Sequence, residues 1–199
     1  PADPYGIAKV ASEDILKTMS HVHGIEWNIA VPHNIVGPRQ RYDDPFRNVV
    51  SIMVNRCLQG KPPIIYGDGS QERCFSYIDD CVYCIEQLAL GPFTYEVVNI
   101  GPDEGTITIK ELAEIVAEEC GYNRGFMHMP DRPNEVKSAT CSSQKARELL
   151  GYIHTIDVRE SVKRTVEWIK EHGPKPFDYS FPLEIVNDLT PLTWKDRLM

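Results

Sequence analysis

Helix-like and strand-like segments alternate along almost the whole of this 199-residue sequence. Residues 4–22 have the apolar spacing of a helix, and residues 25–31 read as a short strand. The pattern continues with predicted helices at 46–58, 79–90, 108–119, 142–150 and 158–172, and predicted strands at 63–66, 73–78, 95–100 and 126–129. Because strands separated by helices are typical of α/β proteins, the sequence predicts an α/β fold.

Local signals place several boundaries. Gly24 ends the first helix, and the pattern Thr108-x-x-Glu111 predicts a capping box at the start of a later one. Asp80 is expected to cap the helix that follows it. Residues 173–199 contain four prolines, so this tail is predicted to lie extended across the surface.

Composition limits the class of partner. The net charge of -8 disfavours nucleic acid, because phosphate binding requires clustered Lys and Arg. No apolar run approaches the roughly 20 residues that span a bilayer, and the first residues do not resemble a secretory leader. We therefore expect a cytoplasmic protein that binds neither nucleic acid nor membrane.

The six cysteines are irregularly spaced among apolar residues, which predicts reduced, buried thiols. Cys81 and Cys84 are separated by two residues, but they lie in a predicted helix with no second Cys/His pair at zinc spacing. We expect these two thiols to be structural, and the sequence predicts no metal site.

Tyr5 and Lys9 are four residues apart on the first predicted helix, so their side chains can share one face. An ammonium beside a phenol favours the phenolate, which makes tyrosine usable as an acid/base near neutral pH. A surface helix can also carry this pair by chance, and the pair alone is a weak signal.

Five ordered motifs strengthen that signal. The segment PYGIAKVASE at 4–13 closely resembles the active-site helix of the extended short-chain dehydrogenase/reductase family, whose members include NAD-dependent nucleotide-sugar epimerases and dehydratases. Four more motifs of that family follow in order: VPHNIVGPRQ at 31–40, YGDGSQERCFSYIDD at 66–80, NIG at 99–101 and RPNE at 132–135.

The resemblance implies a set of roles around an NAD cofactor. Tyr5 would be the acid/base that takes the proton of a sugar hydroxyl, and Lys9 would bind the nicotinamide ribose and tune Tyr5. Pro32 would contact the nicotinamide region through its backbone.

It also implies a binding site for a UDP-sugar or a related nucleotide sugar. Asn34 would hydrogen-bond the diphosphate, and Asn48 and Val49 would lie beside the nucleotide. Ile64 and Tyr66 would line the pocket for the base.

The charged residues of this implied site are Arg73, Arg132 and Glu135. The two arginines would clamp the diphosphate, since a guanidinium offers a rigid donor fork for phosphate oxygens. Glu135 would meet the ribose. Alternatively, Arg73 pairs with Glu72 or Asp79, and Glu135 is simply solvated.

The family fold implies that residues 1–40 form the end of a Rossmann-type doubly wound sheet. Residues 41–172 would form mainly a smaller α/β substrate-binding domain, although elements within 73–100 would return to complete the sheet. Residues 173–199 would form an extended tail. The family's glycine-rich phosphate-binding turn does not occur in the sequence. We therefore expect a C-terminal portion that lacks the N-terminal NAD-binding half, is inactive alone, and forms a homodimer in the full enzyme.

The leading hypothesis for the reaction is UDP-sugar 4-epimerisation. A 4,6-dehydratase, a decarboxylase, a 3,5-epimerase and a non-catalytic nucleotide-sugar-binding module are the alternatives, and the His33-Asn34 pair points faintly to the 3,5-epimerase. Two residues depart from the usual family pattern: His33 stands where Phe is frequent, and Phe75 where Tyr is frequent.

Overall fold

The computed structural model describes residues 4–133 and 135–199 and confirms the α/β fold. The helices are α1 (Pro4–His23), α2 (Val49–Leu58), α3 (Ile78–Leu90), α4 (Ile109–Cys120), α5 (Gln144–Leu150), α6 (Val158–His172) and α7 (Leu192–Lys195). The strands are β1 (Asn28–Pro32), β2 (Ile35–Val36), β3 (Ile64–Tyr66), β4 (Glu72–Arg73), β5 (Ser76–Tyr77), β6 (Glu96–Ile100), β7 (Ile107–Thr108), β8 (Met127–Met129) and β9 (Ser138–Ala139).

Most strand pairs are parallel. Strand β1 pairs with β6, β2 with β5 and β3 with β8, while β4 lies between its parallel neighbour β9 and its antiparallel neighbour β7. In a parallel pair both carboxyl ends lie at the same edge. The segments that follow two paired strands are therefore neighbours in space, however far apart they are in sequence.

The predicted helices and strands are found, with small shifts at their ends. Helix α6 has the predicted bounds, and Thr108 and Glu111 form the expected capping box of α4. Helix α2 begins at Val49, three residues later than predicted, because the preceding Asn48 has a left-handed backbone (φ 68°). The predicted extended segment 73–78 divides into β4 and β5.

Among the described residues, two large apolar cores and a small third cluster at the tail hold these elements together. The larger lies between α2, α4 and α6 and includes Val54, Leu112 and Ile169. The smaller lies where α3 and α5 cover β6, and Cys81 and Cys84 are buried in it, as expected for structural thiols. All six cysteines are free thiols, although Cys120 and Cys141 are only partly buried.

Helix α1 packs differently from the others, because none of its residues is buried. Its apolar side chains are exposed, and the larger ones are Ile7, Val10, Ile15, Met19 and Val22. No helix in the two described ranges has the length and apolar character needed to cross a membrane.

The tail is largely exposed and mostly without regular structure, but its last residues pack against the domain. It ends in the short helix α7, and Met199, only 8% exposed, packs with Ile52 and Ile64. Arg56, itself buried, donates a hydrogen bond of 2.7 Å to the carbonyl of Leu198. The aromatic and apolar residues of the tail, together with this bond, hold it against the domain in spite of its prolines.

The predicted capping role of Asp80 is wrong. Tyr77 occupies the cap position of α3 and makes no side-chain cap bond. The buried Asp80 carboxylate instead accepts hydrogen bonds from the backbone N–H of Thr155 (3.0 Å) and from its hydroxyl (2.5 Å). Asp80 therefore ties α3 to the connection between α5 and α6.

We predict that Asp80→Ala lowers the free energy of unfolding by about 1–3 kcal/mol, because it leaves two Thr155 donors unpaired in a part-buried site. Urea unfolding followed by circular dichroism measures this change. The matched control is Asp79→Ala, which removes an exposed carboxylate from the same helical turn and should cost less than about 1 kcal/mol. Equal losses for the two variants would contradict the assigned role.

Candidate functional site

A cavity of about 210 Å³ lies beside the amino end of α2. Strand β3 forms one wall, and β4 and the segment after β8 form another. All eight residues that the resemblance implied for the nucleotide sugar line this one cavity: Asn34, Asn48, Val49, Ile64, Tyr66, Arg73, Arg132 and Glu135. Asn134, which belongs to the last sequence motif, lies outside the described residues.

Arg73 and Glu135 contact each other in the wall of the cavity. The Arg73 Nη2 group donates to Glu135 Oε1 at 3.1 Å, and its Nη1 group donates to the backbone carbonyl of Glu72 at 2.7 Å. The side chains of Arg73 and Glu135 are 15% and 25% exposed. The carboxylate partner of Arg73 is therefore Glu135, in place of the Glu72 or Asp79 carboxylate considered above.

Arg132 is held between two aromatic rings. Its guanidinium carbon lies 4.4 Å from the ring centre of Tyr66 and 5.1 Å from that of Trp194. Contacts through the ring faces leave the N–H groups in the guanidinium plane available to an anion. Its Nε atom is buried and has no hydrogen-bond partner in the parts of the chain that the structure describes. A ligand oxygen in the cavity that accepts a hydrogen bond from this Nε–H would remove the cost of leaving a buried donor unpaired.

The charge of the cavity suits an anion. Its lining includes three arginines, Arg47, Arg73 and Arg132, against the single carboxylate Glu135. Arg47 is mostly exposed and pairs with Asp44 at 2.9 Å, so the two inner arginines set the local potential. Guanidinium groups in a partly buried wall attract phosphate more strongly than groups in open solvent do.

The two asparagines both have left-handed backbones, with φ of 38° at Asn34 and 68° at Asn48. The Asn34 amide donates to the carbonyl of Cys74 at 2.8 Å, which fixes its side chain beside β4. Asn48 precedes the first turn of α2, where backbone N–H groups lack helical acceptors. Both positions can therefore direct polar groups into the cavity.

The tail supplies part of the site that sequence reasoning missed. Met199 and Phe46 line the cavity, and the ring of Phe46 meets that of Trp194 edge-on at 5.5 Å. The Tyr66 hydroxyl is hydrogen-bonded to the hydroxyl of Thr193. The clustering of aromatic residues in a proline-containing tail was the available signal for this role.

Tyr5, Lys9 and Pro32 do not line the cavity. The Lys9 ammonium lies 5.4 Å from the ring centre of Tyr5, so the two side chains share a face of α1, and Tyr5 is 72% exposed. Pro32 ends β1 opposite Ile100 of β6. The structure thus brings Tyr5 and Lys9 together on α1 and places Pro32 at the carboxyl end of β1, with all three outside the cavity.

His33 and Phe75, the two departures from the family pattern, have different surroundings. Phe75 is buried in the larger core and also borders the cavity. His33 is half-buried, and burial lowers its pKa, so its imidazole is neutral at pH 7. The His33 carbonyl accepts a hydrogen bond of 2.6 Å from the Ser76 hydroxyl.

Comparison with known proteins places the chain in a family. A family model described as NAD dependent epimerase/dehydratase family matches residues 1–101, and the chain belongs to this family. A putative UDP-glucose 4-epimerase of Methanocaldococcus jannaschii is 36% identical over 175 residues, which are 87% of this chain and 55% of that protein. The chain thus spans about half the length of the curated relatives that it matches.

Solved structures agree with this assignment. UDP-glucose 4-epimerase from Thermotoga maritima, solved with UDP-glucose, is similar with a TM-score of 0.78 and 32% identity over 86% of this chain and 55% of that one. UDP-glucuronic acid 4-epimerase from Bacillus cereus, solved with UDP-glucuronic acid and NAD, has a TM-score of 0.79 and 27% identity over 87% and 54%. Other similar proteins are described as a GDP-mannose 3,5-epimerase, a 4,6-dehydratase and a decarboxylase.

We predict that Trp194→Ala loosens the tail without unfolding the domain. The variant loses ring contacts with Arg132 and Phe46 that are worth about 0.5–1.5 kcal/mol each. Trypsin cleavage after Lys195 and Arg197 should therefore become faster by about tenfold or more, as measured by mass spectrometry of timed digests. Phe181→Ala, which removes a 72% exposed ring from the same tail, is the control and should leave the rate unchanged. An unchanged rate in Trp194→Ala would contradict the packing role.

Proposed function

We propose that this chain forms the substrate-binding part of an NAD-dependent UDP-sugar 4-epimerase. The observation that carries the proposal is the single cavity shared by all eight residues that the sequence implied for a nucleotide sugar. Residues separated by about a hundred positions in the chain, from Asn34 to Glu135, meet there. A chance set of family-like motifs has no reason to converge in this way.

Different residues of the cavity would recognise different parts of UDP. Ile64 and Tyr66, on β3, offer an apolar edge for the planar base. Arg73 and Arg132 would hold the diphosphate, with Arg132 oriented by its two aromatic neighbours. Glu135 would accept hydrogen bonds from the ribose hydroxyls, and its contact with Arg73 keeps the guanidinium in place before the ligand binds.

The proposed chemistry takes place at α1. The Tyr5 side chain would act as the acid/base toward the C4 hydroxyl, taking its proton and returning it after the keto-sugar has rotated. Lys9, held over the Tyr5 ring, would bind the nicotinamide ribose. Lys9 and Pro32 would hold the nicotinamide end of NAD, which would supply reversible hydride transfer at C4. Pro32 and the backbone after it would border the nicotinamide at the carboxyl end of β1.

The residues present fit only part of an NAD site. Tyr5, Lys9 and Pro32 account for the nicotinamide end, whereas the 199 residues contain no glycine-rich turn for the pyrophosphate. We therefore propose that activity requires a further dinucleotide-binding segment packed beside β1. The exposed apolar side chains of α1 would be covered in the same assembly, which we propose to be a homodimer.

A second candidate is a 3,5-epimerase. His33 lies directly after Pro32, so a neutral imidazole stands beside the proposed nicotinamide region. A similarity to a protein described as GDP-mannose 3,5-epimerase agrees with this alternative. Epimerisation at C3 and C5 exchanges carbon-bound protons with solvent, whereas 4-epimerisation by hydride return does not. Turnover in D₂O by the protein that includes the dinucleotide-binding segment, followed by NMR, distinguishes the two reactions by the presence or absence of deuterium in the product.

We predict that the chain binds UDP and that Arg73→Ala and Arg132→Ala each weaken binding by about 10- to 100-fold, because each removes hydrogen bonds from a charged donor. Isothermal titration calorimetry measures the affinity. Arg159→Ala, which removes an exposed arginine that pairs with Glu118 and Glu119 away from the cavity, is the matched control. Absence of UDP binding by the folded chain would overturn the assignment of the cavity.

We predict that the isolated 199-residue chain does not turn over a UDP-sugar, because its NAD site is incomplete. With the dinucleotide-binding segment supplied, activity should appear, and Tyr5→Phe should reduce kcat by about 100-fold or more with little change in UDP affinity. A coupled assay for the product sugar, together with calorimetry, separates the two effects. Steady turnover by the chain alone would contradict the first expectation. UDP binding with no turnover even after the segment is added would favour a non-catalytic nucleotide-sugar-binding module.

A further inference from the structure

A cluster of three potential metal ligands lies next to the cavity. The ring nitrogen of His33 and the sulfur atoms of Cys74 and Cys141 all lie within 4.8 Å of one another. Cys74 is buried, and the other two residues are half-buried. Two thiols and an imidazole are the donors that Zn²⁺ prefers, and this set with one open position is known from zinc sites in proteins.

We propose that His33, Cys74 and Cys141 form a binding site for one Zn²⁺ ion, with a fourth position open to water. A tetrahedral zinc ion with ligands at about 2.0–2.3 Å separates its donor atoms by about 3.3–3.8 Å. Each pair of donors therefore needs to approach by at most about 1.5 Å to reach that geometry, a movement that side-chain rotation can supply. Binding would release the two thiol protons to water, so that each sulfur binds as thiolate.

The backbone explains how three distant residues meet. Cys74 directly follows β4, and Cys141 comes two residues after its parallel partner β9. His33 directly follows β1, whose parallel partner β6 ends beside it. Each ligand thus comes just after the carboxyl end of a strand. The hydrogen bonds between the paired strands fix the backbone near each ligand.

Hydrogen bonds hold the same segments in position. The Ser143 hydroxyl donates to the Gly101 carbonyl, and the Ser143 N–H donates to Asp103 at 3.2 Å. Arg147 fixes the Asp103 carboxylate through two bonds of 2.9 and 2.7 Å. The loop that carries Cys141 is therefore anchored to the end of β6 before any ion binds.

The glycine at position 101 leaves the space that the cluster needs. A Cβ atom there would lie 3.1 Å from the His33 Cβ, 2.8 Å from the Ser76 hydroxyl and 3.7 Å from the Cys141 sulfur. Its φ of 153° also lies in the region that favours glycine. A side chain at this position would push His33 away from the sulfur atoms.

Among the described residues, the backbone contacts of the two thiols are long. The Cys74 sulfur lies 3.9 Å from the Ala139 carbonyl oxygen, and the Cys141 sulfur lies 4.0 Å from the Gly101 carbonyl oxygen. Such long contacts contribute little, so metal binding would not have to break a strong bond. A disulfide would use the two sulfurs but would leave the placement of His33 unexplained, and for this reason we favour the metal.

The proposed ion would also stiffen the neighbouring cavity. Cys74 stands between Arg73 and Phe75, which both line the cavity, and its carbonyl accepts the hydrogen bond from Asn34. The ion would therefore fix the backbone that positions Arg73 and Asn34, which are two of the proposed substrate contacts. No motif in the sequence predicts this site, because its ligands are 41 and 67 residues apart.

The test begins with the wild-type chain, purified under reducing conditions and stripped of metal with a chelator. We expect it to take up one Zn²⁺ per chain, as measured by elemental analysis after gel filtration. Co²⁺ in place of Zn²⁺ should give the intense visible bands of a tetrahedral ion and a thiolate-to-cobalt charge-transfer band. Cys74→Ser, Cys141→Ser and His33→Gln should each lower the Zn²⁺ affinity by about tenfold or more in competition with a chromophoric chelator.

Two variants serve as matched controls. Cys120→Ser removes another partly exposed thiol, and His128→Gln removes an imidazole outside the cluster, so both should keep the wild-type stoichiometry and affinity. Unchanged affinity in any of the three ligand variants would overturn the proposal. So would the absence of zinc uptake by the reduced wild-type chain, or a Cys74–Cys141 disulfide as the only product found by mass spectrometry.

A measurement on the wild-type chain covers the case in which a ligand variant fails to fold. Zn²⁺ should slow the alkylation of Cys74 and Cys141 by about tenfold or more and leave the rate at Cys120 unchanged, as read by peptide mass spectrometry. Equal alkylation rates with and without Zn²⁺ would refute the site. None of these readouts depends on UDP binding or turnover, so this proposal and the proposed function fail independently.

Discussion

Parallel strand pairing is the constraint on which the arrangement of this molecule depends. Arg73 ends β4 and Tyr66 ends β3, and Arg132 follows β8, the parallel partner of β3. A tight turn cannot join two parallel strands that pair with each other. The two strands of such a pair therefore come from distant parts of the chain. Pairing of β3 with β8 thus places Tyr66 near Arg132, and pairing of β4 with β9 places Arg73 near the segment that carries Glu135. The cores beneath serve mainly to hold these short ladders in register.

The aromatic surroundings of Arg132 show how the fold prepares a cation for use. A free arginine side chain loses considerable rotamer entropy when it binds a ligand, and this loss weakens binding. Here Tyr66 and Trp194 restrict the guanidinium in advance. Glu135 does the same for Arg73 by a charged contact. The two arginines are thus ordered by different means, one by ring faces and one by a carboxylate.

The sequence predicted the elements well where periodicity or caps were strong, as in α6 and α4, and the ordered motifs grouped eight residues that line one cavity. Prediction from the sequence failed where contacts between distant residues determine the role of a side chain. Asp80 looked like a cap because it stands in the first turn, but Thr155 is its partner, and no local pattern reveals a partner 75 residues away. Two-residue strands such as β2 and β9 are too short to show a period. The packing of Trp194 and Met199 against the domain was not foreseen, because the prolines of the tail predict only an extended path.

The tail borders the cavity through contacts that are separate from the main core. Met199 and Trp194 form contacts with the pocket wall, while the main core lies between α2, α4 and α6. Local opening of such a segment requires less free energy than global unfolding does. The residence time of an occupant is then set partly by how often the tail opens, and substitutions in residues 191–199 can change the dissociation rate while the phosphate-binding groups stay the same.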